Sequence, residues 1–258
     1  MPDSERPRRA IVRPPAGSLA EGMVTHIERS PVDVERAREQ WRGYVLALAA
    51  NGFDPVEVPE APGLPDSVFV EDAVVVFGDL AVLTSPGAES RRAEVVDVEA
   101  VVRGIGLRIA RIELPATLDG GDVLKIGDRV FVGSGGRTNA GGVEQLRAIV
   151  SPLGYSVEEV TASRVLHLKS AVTALPDGTV IGYPPLVDDP GVFDRFLAVP
   201  EESGSHVVVL SPSSVLMAAS APRSKELVES LGYRVEAVDI GEFEKLEACV
   251  TCLSVRVR

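Results

Sequence analysis

The chain has 258 residues, with 38 acidic against 26 basic side chains and a formal charge of −12. That balance excludes a protein built to track nucleic-acid phosphates, which needs concentrated Lys and Arg, and no apolar run approaches the roughly 20 residues of a membrane span. The opening residues 1–6, Met-Pro-Asp-Ser-Glu-Arg, have no apolar core and do not read as a signal peptide, so a cytoplasmic protein is expected. Hydrophobic residues at 45% fit a globular chain that can bury a core. The length allows one large or two small domains. No low-complexity linker divides it, so residues 1–258 read as one domain.

In chain order, residues 9–13 read as a first strand, closed by Pro14 and Pro15. A helix is expected from about Asp33, carrying Val34, Ala37, Trp41, Val45 and Leu48 on one face. It stops at Asn51-Gly52, since Gly accepts a positive φ without penalty. The same order, a helix ending in Gly that leads into a short apolar strand, is read at Gly52, Gly106, Gly154, Gly204 and Gly232. Hairpins follow the first three: residues 73–77 with 80–84, 122–126 with 129–133, and 171–175 with 179–182. Their Gly-Asp and Asp-Gly corners suit tight turns. Three of the four junction spacings lie near 50 residues, the size of one supersecondary unit. Four or five β-β-α-β units in one chain predict an α/β fold of blades around a centre; an ordinary mixed α/β domain with coincidental spacing is the plainer alternative.

Few residues can carry chemistry. His206 precedes Val-Val-Val-Leu and reads as a strand-end residue, and His26 falls in a polar loop. His167 sits in the apolar run Val-Leu-His-Leu-Lys-Ser, where a buried imidazole must find a partner; a satisfied core histidine is the simplest account. Cys249 and Cys252 are the only cysteines, which excludes a disulfide framework and a four-cysteine zinc site. Their C-x-x-C spacing enters an alternating β pattern rather than a helix, so the thioredoxin-like context is missing. Inert buried thiols remain, or one catalytic thiol paired with a distant histidine.

Carboxylates cluster before two apolar strands, as Asp66, Glu71 and Asp72 and as Asp119 and Asp122 around Gly120-Gly121. Solvated turns would explain either cluster alone. Together they are also what a pocket for a small cation needs, and a carboxylate pair matches a planar guanidinium bidentately. Arg91, Arg92 and Arg137 stand where loops enter helices, a favourable place for an anion.

These segments together resemble the dimethylarginine dimethylaminohydrolase family of the guanidino-group-modifying pentein superfamily. The matching motifs are LPDSVFVED (64–72), PGAESRRAEV (86–95), ATLDGGDVL (116–124), GRTN (136–139), LHLKS (166–170) and TCLS (251–254), in the family's order and over nearly the whole chain. The resemblance implies a five-bladed α/β propeller of ββαβ repeats around a pseudo-fivefold axis. It implies Cys252 as nucleophile, His167 as general acid/base and Asp119 as the catalytic carboxylate that grips a guanidinium, with Asp72 a second acidic contact. It further implies that Asp66 and Glu71 complete an acidic wall and that Arg91 and Arg137 bind the substrate α-carboxylate. By the same resemblance the Leu246 carbonyl would receive the α-amino group, the loop around Met23 and Val24 would act as a lid, and Cys249 would be a bystander.

The implied reaction converts Nω-methylated L-arginine to citrulline and (di)methylamine, with no metal or organic cofactor. The partner is a small guanidino amino acid, with a homodimer expected from the family alone. One departure is the segment Lys-Leu-Glu-Ala-Cys-Val (245–250), where the family often has a small-residue turn; Glu247 and Ala248 add bulk there. Arginine deiminase is the nearest alternative, but it usually carries His-x-Asp where this chain has His167-Leu168-Lys169, and an additional helical domain. A non-catalytic module for arginine-like ligands and a thiol redox protein are the alternatives of other classes.

Overall fold

The computed structural model describes residues 7–257; the opening segment on which the reading against a signal peptide rests lies outside them. Among the described residues, no helix is long and apolar enough to cross a membrane.

Five three-stranded sheets form five blades. The strands in chain order are β1 (Arg9–Val12), β2 (Asp54–Glu57), β3 (Val74–Phe77), β4 (Leu80–Leu83), β5 (Arg108–Arg111), β6 (Val123–Ile126), β7 (Arg129–Ser134) and β8 (Ser156–Thr161). They continue with β9 (Val172–Ala174), β10 (Val180–Gly182), β11 (Phe196–Ala198), β12 (Val208–Ser211), β13 (Ser214–Ala218), β14 (Arg234–Val238) and β15 (Val255–Val257). The helices are α1 (Val34–Ala50), α2 (Glu94–Gly104), α3 (Ala140–Val150), α4 (Leu168–Ala171), α5 (Pro222–Ser230) and α6 (Gly241–Glu244).

Every blade repeats one pattern. An antiparallel hairpin is followed by a crossover, and the returning strand pairs parallel to the hairpin's second strand: β3-β4-β5, β6-β7-β8, β9-β10-β11 and β12-β13-β14. The remaining blade joins the two ends of the chain. β15 pairs antiparallel with β1, Arg9 opposite Val257, and β2 returns parallel after α1. This is the five-bladed α/β propeller that the repeat and the resemblance both lead one to expect.

Local chemistry explains the elements. Asp33 caps α1 by accepting the Arg36 N–H at 3.1 Å, the kind of cap that typically stabilises a helix by about 1 kcal/mol. The expected stripe of α1 is buried at Ala37, Trp41 and Leu48, joined by Tyr44. β3 and β4 are buried at every position, which is why they read as continuous apolar runs rather than alternating ones. The apolar residues divide into five separate clusters, so the ring has a core between neighbouring blades instead of one at its centre.

One junction is corrected. Gly52, Gly106, Gly154 and Gly232 all take a left-handed φ and lead into the parallel strand of their blades, whereas Gly204 does not and lies in a short 3₁₀ turn. The strand after it, β12, opens the fifth hairpin, and the fourth blade is closed earlier by β11. Pro184, Pro185 and Pro190 supply the physical reason. Without N–H donors they cannot continue a regular helix, and the β10–β11 crossover is made of two 3₁₀ turns.

Candidate active site

The first strands of the hairpins surround a channel along the axis, lined by Val74–Val76, Val123–Lys125, Thr173–Ala174, Val207 and Val209, and Ser254–Arg256. Each chemically distinctive residue stands just before one of these strands: Glu71 and Asp72 before β3, Asp119 and Asp122 before β6, His167 before β9, His206 before β12 and Cys252 before β15. The fold therefore delivers to one end of the axis side chains that are far apart in sequence. Hydrogen bonds tie neighbouring blades together there. Glu71 N–H reaches the Cys252 carbonyl at 3.3 Å, Gly121 N–H the Asp72 carboxylate at 2.9 Å, Leu168 N–H the Asp122 carboxylate at 2.9 Å, and the His206 ring the Ser170 carbonyl at 2.9 Å.

A pocket opens at this end. Its lining includes Cys252, His167, Asp66, Asp72, Arg91, Arg137 and Leu246, completed by Met23, Phe69, Leu166, Glu247 and Ala248. Seven of the ten residues expected from the sequence thus meet in one cavity, and three do not. Glu71 turns to the other side of Asp72 and lines the axial channel. It accepts the Thr251 hydroxyl at 2.8 Å and pairs with Lys169 at 2.6 Å, so its charge is already engaged away from the pocket. Val24 yields its expected place to its neighbour Met23.

Asp119 is completely buried behind the histidine, where one oxygen accepts the Gly87 N–H at 2.8 Å and the other lies 3.0 Å from His167 Nε2. It holds the imidazole and does not line the cavity. The Gly120-Gly121 step permits this approach, because a Cβ on Gly121 would lie 2.7 Å from both the Asp72 carboxylate and His167 Nδ1.

With Nε2 bound to Asp119, the other ring nitrogen of His167, Nδ1, is 3.8 Å from Asp72 on the pocket side. Burial opposes a charge on this ring, but Asp72, the hydrogen bond to Asp119 and the nearby Asp122 outweigh it and hold the pKa up at about 9. The imidazolium is thus the resting form at neutral pH. Burial likewise disfavours the Asp72 carboxylate, yet His167 and Arg91 keep it ionised and its pKa falls to about 2. Asp122 goes the other way, to about 6, because burial exceeds the help from His167 and the Thr138 hydroxyl. Asp72, Asp119 and His167 are the one group among the described residues with ligand atoms close enough to hold a metal ion. A metal there would have to displace the proton that both carboxylates hold on the ring.

Arg91 is buried and fully engaged. It donates to Asp72 at 2.6 Å, to Glu94 at 2.8–3.2 Å, and to the Asp66 and Phe69 carbonyls. Arg137 is the contrast. It lines the pocket, 3.9 Å from Asp119, and its buried Nη1 has no hydrogen-bond partner.

The two thiols are in contact. Cys249 and Cys252 Sγ atoms lie 3.4 Å apart, and Cys252 Sγ also accepts the Cys249 N–H at 3.4 Å. The contact lowers the pKa of Cys249 to about 5 against the cost of burial and raises that of Cys252 well above the ordinary thiol range. A proton in an S–H···S bond can sit on either sulfur, so the pair is best described as one easy ionisation followed by one difficult one.

Sequence reasoning passed over Glu247 as mere bulk. It is the only described non-glycine residue with a left-handed φ, at 62°, and its carboxylate accepts the Thr25 N–H at 2.8 Å, the Thr25 hydroxyl at 2.9 Å, and the N–H groups of His26 and Ile27. Asp66 fixes the preceding turn by accepting the Met23 N–H at 3.0 Å. The loop beside the pocket is thus strapped down by two carboxylates. Removing one strap in Glu247→Ala should accelerate amide exchange at Thr25–Ile27 by at least about tenfold, the equivalent of one lost charge-assisted hydrogen bond. Hydrogen-exchange mass spectrometry of that segment reads it directly, and unchanged protection would show that the loop is held elsewhere.

A ring of five three-stranded blades, each a hairpin followed by a parallel return strand, with a buried Cys, His and carboxylates at one end of its axis, defines a pentein-type fold. No family model matches the chain. Relatives do. It is 62% identical over 251 residues to the N(G),N(G)-dimethylarginine dimethylaminohydrolase of Streptomyces coelicolor, covering 97% of each chain. Against the enzyme of that name from Pseudomonas aeruginosa it is 37% identical over 249 residues, covering 95% of this chain and 98% of the relative. A crystal structure of the Pseudomonas aeruginosa protein, a cysteine-to-serine variant complexed with citrulline, superimposes with a TM-score of 0.89 at 36% identity, over 96% of this chain and 98% of that one. The chain belongs to the dimethylarginine dimethylaminohydrolase family.

Proposed function

We propose that this protein hydrolyses Nω-methylated L-arginine to L-citrulline and (di)methylamine. The observation that carries the reading is the meeting of Cys252, His167, Asp66 and Asp72 in one pocket that Arg137 also lines. The charges suit a guanidino amino acid. Asp66 and Asp72 face a cation, and the unpartnered Nη1 of Arg137 is a donor for the substrate carboxylate. The Leu246 backbone is the acceptor proposed for the α-amino group.

The chemistry follows from the residue types. The guanidinium carbon is a weak electrophile because its charge is delocalised, so the attacking group must be a thiolate. With its proton given up to solvent and its charge stabilised by the bound guanidinium and the His167 imidazolium, the Cys252 thiolate adds to that carbon and gives a tetrahedral adduct. The bond to the methylated nitrogen breaks, and the departing amine takes a proton from His167, the group that holds one at neutral pH. The S-alkylthiouronium that remains is attacked by water, whose proton returns to His167. The C–S bond then breaks as the remaining hydroxyl proton passes to solvent or to the departed amine, releasing citrulline and the Cys252 thiolate. Asp119 keeps the ring oriented for both transfers through its 3.0 Å contact with Nε2. Asp72 and the neighbouring carboxylates favour the imidazolium in the resting state. Arg91, given its engagement with Asp72 and Glu94, organises the acidic wall and is not proposed as a direct ligand. A cytoplasmic location and assembly as a homodimer belong to the same proposal, supported by the family resemblance.

The test is product analysis on a panel of guanidino compounds. Asymmetric dimethyl-L-arginine should yield citrulline and dimethylamine in equal amounts. Citrulline from arginine with none from methylated arginines would move the protein to deiminase chemistry, and no turnover of any member would leave a binding module.

A further inference from the structure

Cys249 has no part in the reaction just described, yet it touches the nucleophile. The thiols are 3.4 Å apart across a tight turn in which the Cys252 N–H donates to the Cys249 carbonyl at 3.1 Å. A disulfide needs the sulfurs at about 2.05 Å, so closing the bond requires an approach of about 1.3 Å, within reach of side-chain rotation. Access is unequal. Cys252 lines the pocket, whereas Cys249 is buried behind it, against Thr251 Oγ1 at 3.3 Å. A small oxidant entering the pocket therefore meets Cys252 first, with a second thiol already in contact.

We propose that Cys249 and Cys252 form a site of reversible oxidative modification, in which a hydroperoxide oxidises the nucleophile and Cys249 caps it as a disulfide. The Cys252 thiolate attacks one peroxide oxygen. The S–O bond forms as the O–O bond breaks, hydroxide or alkoxide leaves, and the sulfur is oxidised by two electrons to a sulfenic acid. The Cys249 sulfur then attacks Cys252. The S–S bond forms, the S–O bond breaks, and the released hydroxide takes the thiol proton as water. An external dithiol reverses the change by exchange, becoming a disulfide itself and returning both thiols. Without a neighbouring thiol, a sulfenic acid advances to the sulfinic acid, which is not recovered by thiols. Cys249 thus protects the reactive cysteine from irreversible loss, at the expense of activity while the bond persists.

This rests on Cys252 being the pocket nucleophile, but its primary readout is mass, independent of any substrate. After hydrogen peroxide treatment without substrate, the intact protein should lose about 2 Da, with the cross-link mapped by peptide analysis to residues 249–252. Dithiothreitol should restore both the mass and whatever turnover the untreated protein has. In Cys249→Ser the same treatment should instead add about 32 Da at Cys252, without recovery. Oxygen addition at Cys252 in the wild type with no 2 Da loss would overturn the proposal, as would full recovery of oxidised Cys249→Ser by dithiothreitol. The wild-type mass decides the matter even if the variant folds poorly.

Discussion

Cys252→Ser is expected to lose citrulline formation from methylated arginines by at least about 10⁴-fold in kcat, the scale on which removal of a covalent nucleophile acts. A serine hydroxyl is not ionised near neutral pH, and the pocket offers no strong base to activate it, because His167 already carries its proton. Substrate binding should survive, since Asp66, Asp72 and Arg137 are untouched. Cys249→Ser should retain turnover. The pair is informative because the sulfurs are in contact and either could be named from the C-x-x-C spacing alone. Steady-state citrulline assays decide it: if the dead variant is Cys249→Ser, the nucleophile has been misassigned.

The largest expected effect on stability is at Arg91. Its guanidinium is buried and neutralises Asp72 and Glu94, both also buried. A buried pair is not itself strong evidence of stabilisation, because removing its ions from water is costly. Breaking one is different. Arg91→Met leaves buried Glu94 without a counter-ion and Asp72 with the His167 imidazolium alone, and removing one partner of a buried pair costs about 3–5 kcal/mol. Denaturant unfolding should show a fall of that size, and Arg91→Lys should rescue only part of it because an ammonium lacks the planar fork. Arg137→Met should behave oppositely, with little change in stability and a raised KM, since the buried Nη1 of Arg137 makes no hydrogen bond that the substitution would break. Unchanged stability in Arg91→Met together with a raised KM would restore the sequence-based expectation that Arg91 binds substrate.

These two arginines show where sequence reading succeeds and stops. The presence of both near the site was legible from the loops they occupy, but what each touches depends on side chains from other blades. Arg91 was legible as an anion binder, yet the anions it meets are the protein's own Asp72 and Glu94. Glu71 and Asp72 are adjacent in sequence and were read as one acidic wall. The chain turns between them, sending one to Lys169 and the channel and the other to His167 and the pocket. Asp119, expected to grip a guanidinium, lies outside the pocket lining and faces the histidine, a contact made across 48 residues. The blade pattern was legible because glycine junctions and Gly-Asp corners are local. It failed at Gly204, where a glycine stands before an apolar strand without the left-handed turn that marks the other junctions. Glu247 was missed because nothing local distinguishes a carboxylate that straps a loop more than 200 residues away from one that is solvated.

The blade that joins residue 9 to residue 257 has a consequence for the order of folding. Hairpins such as β3-β4 and β6-β7 involve neighbours in sequence and can form early. The β1–β15 pairing is the most non-local contact in the ring, and non-local contacts slow folding because the intervening chain must be confined before they form. Cys252 stands only a few residues before β15, and its carbonyl is held by Glu71 from the next blade. The proposed nucleophile therefore takes its place when the circle closes and not before. During refolding, chemical reactivity should lag behind secondary structure, with partly folded chains carrying a thiol that is not yet aimed at any substrate.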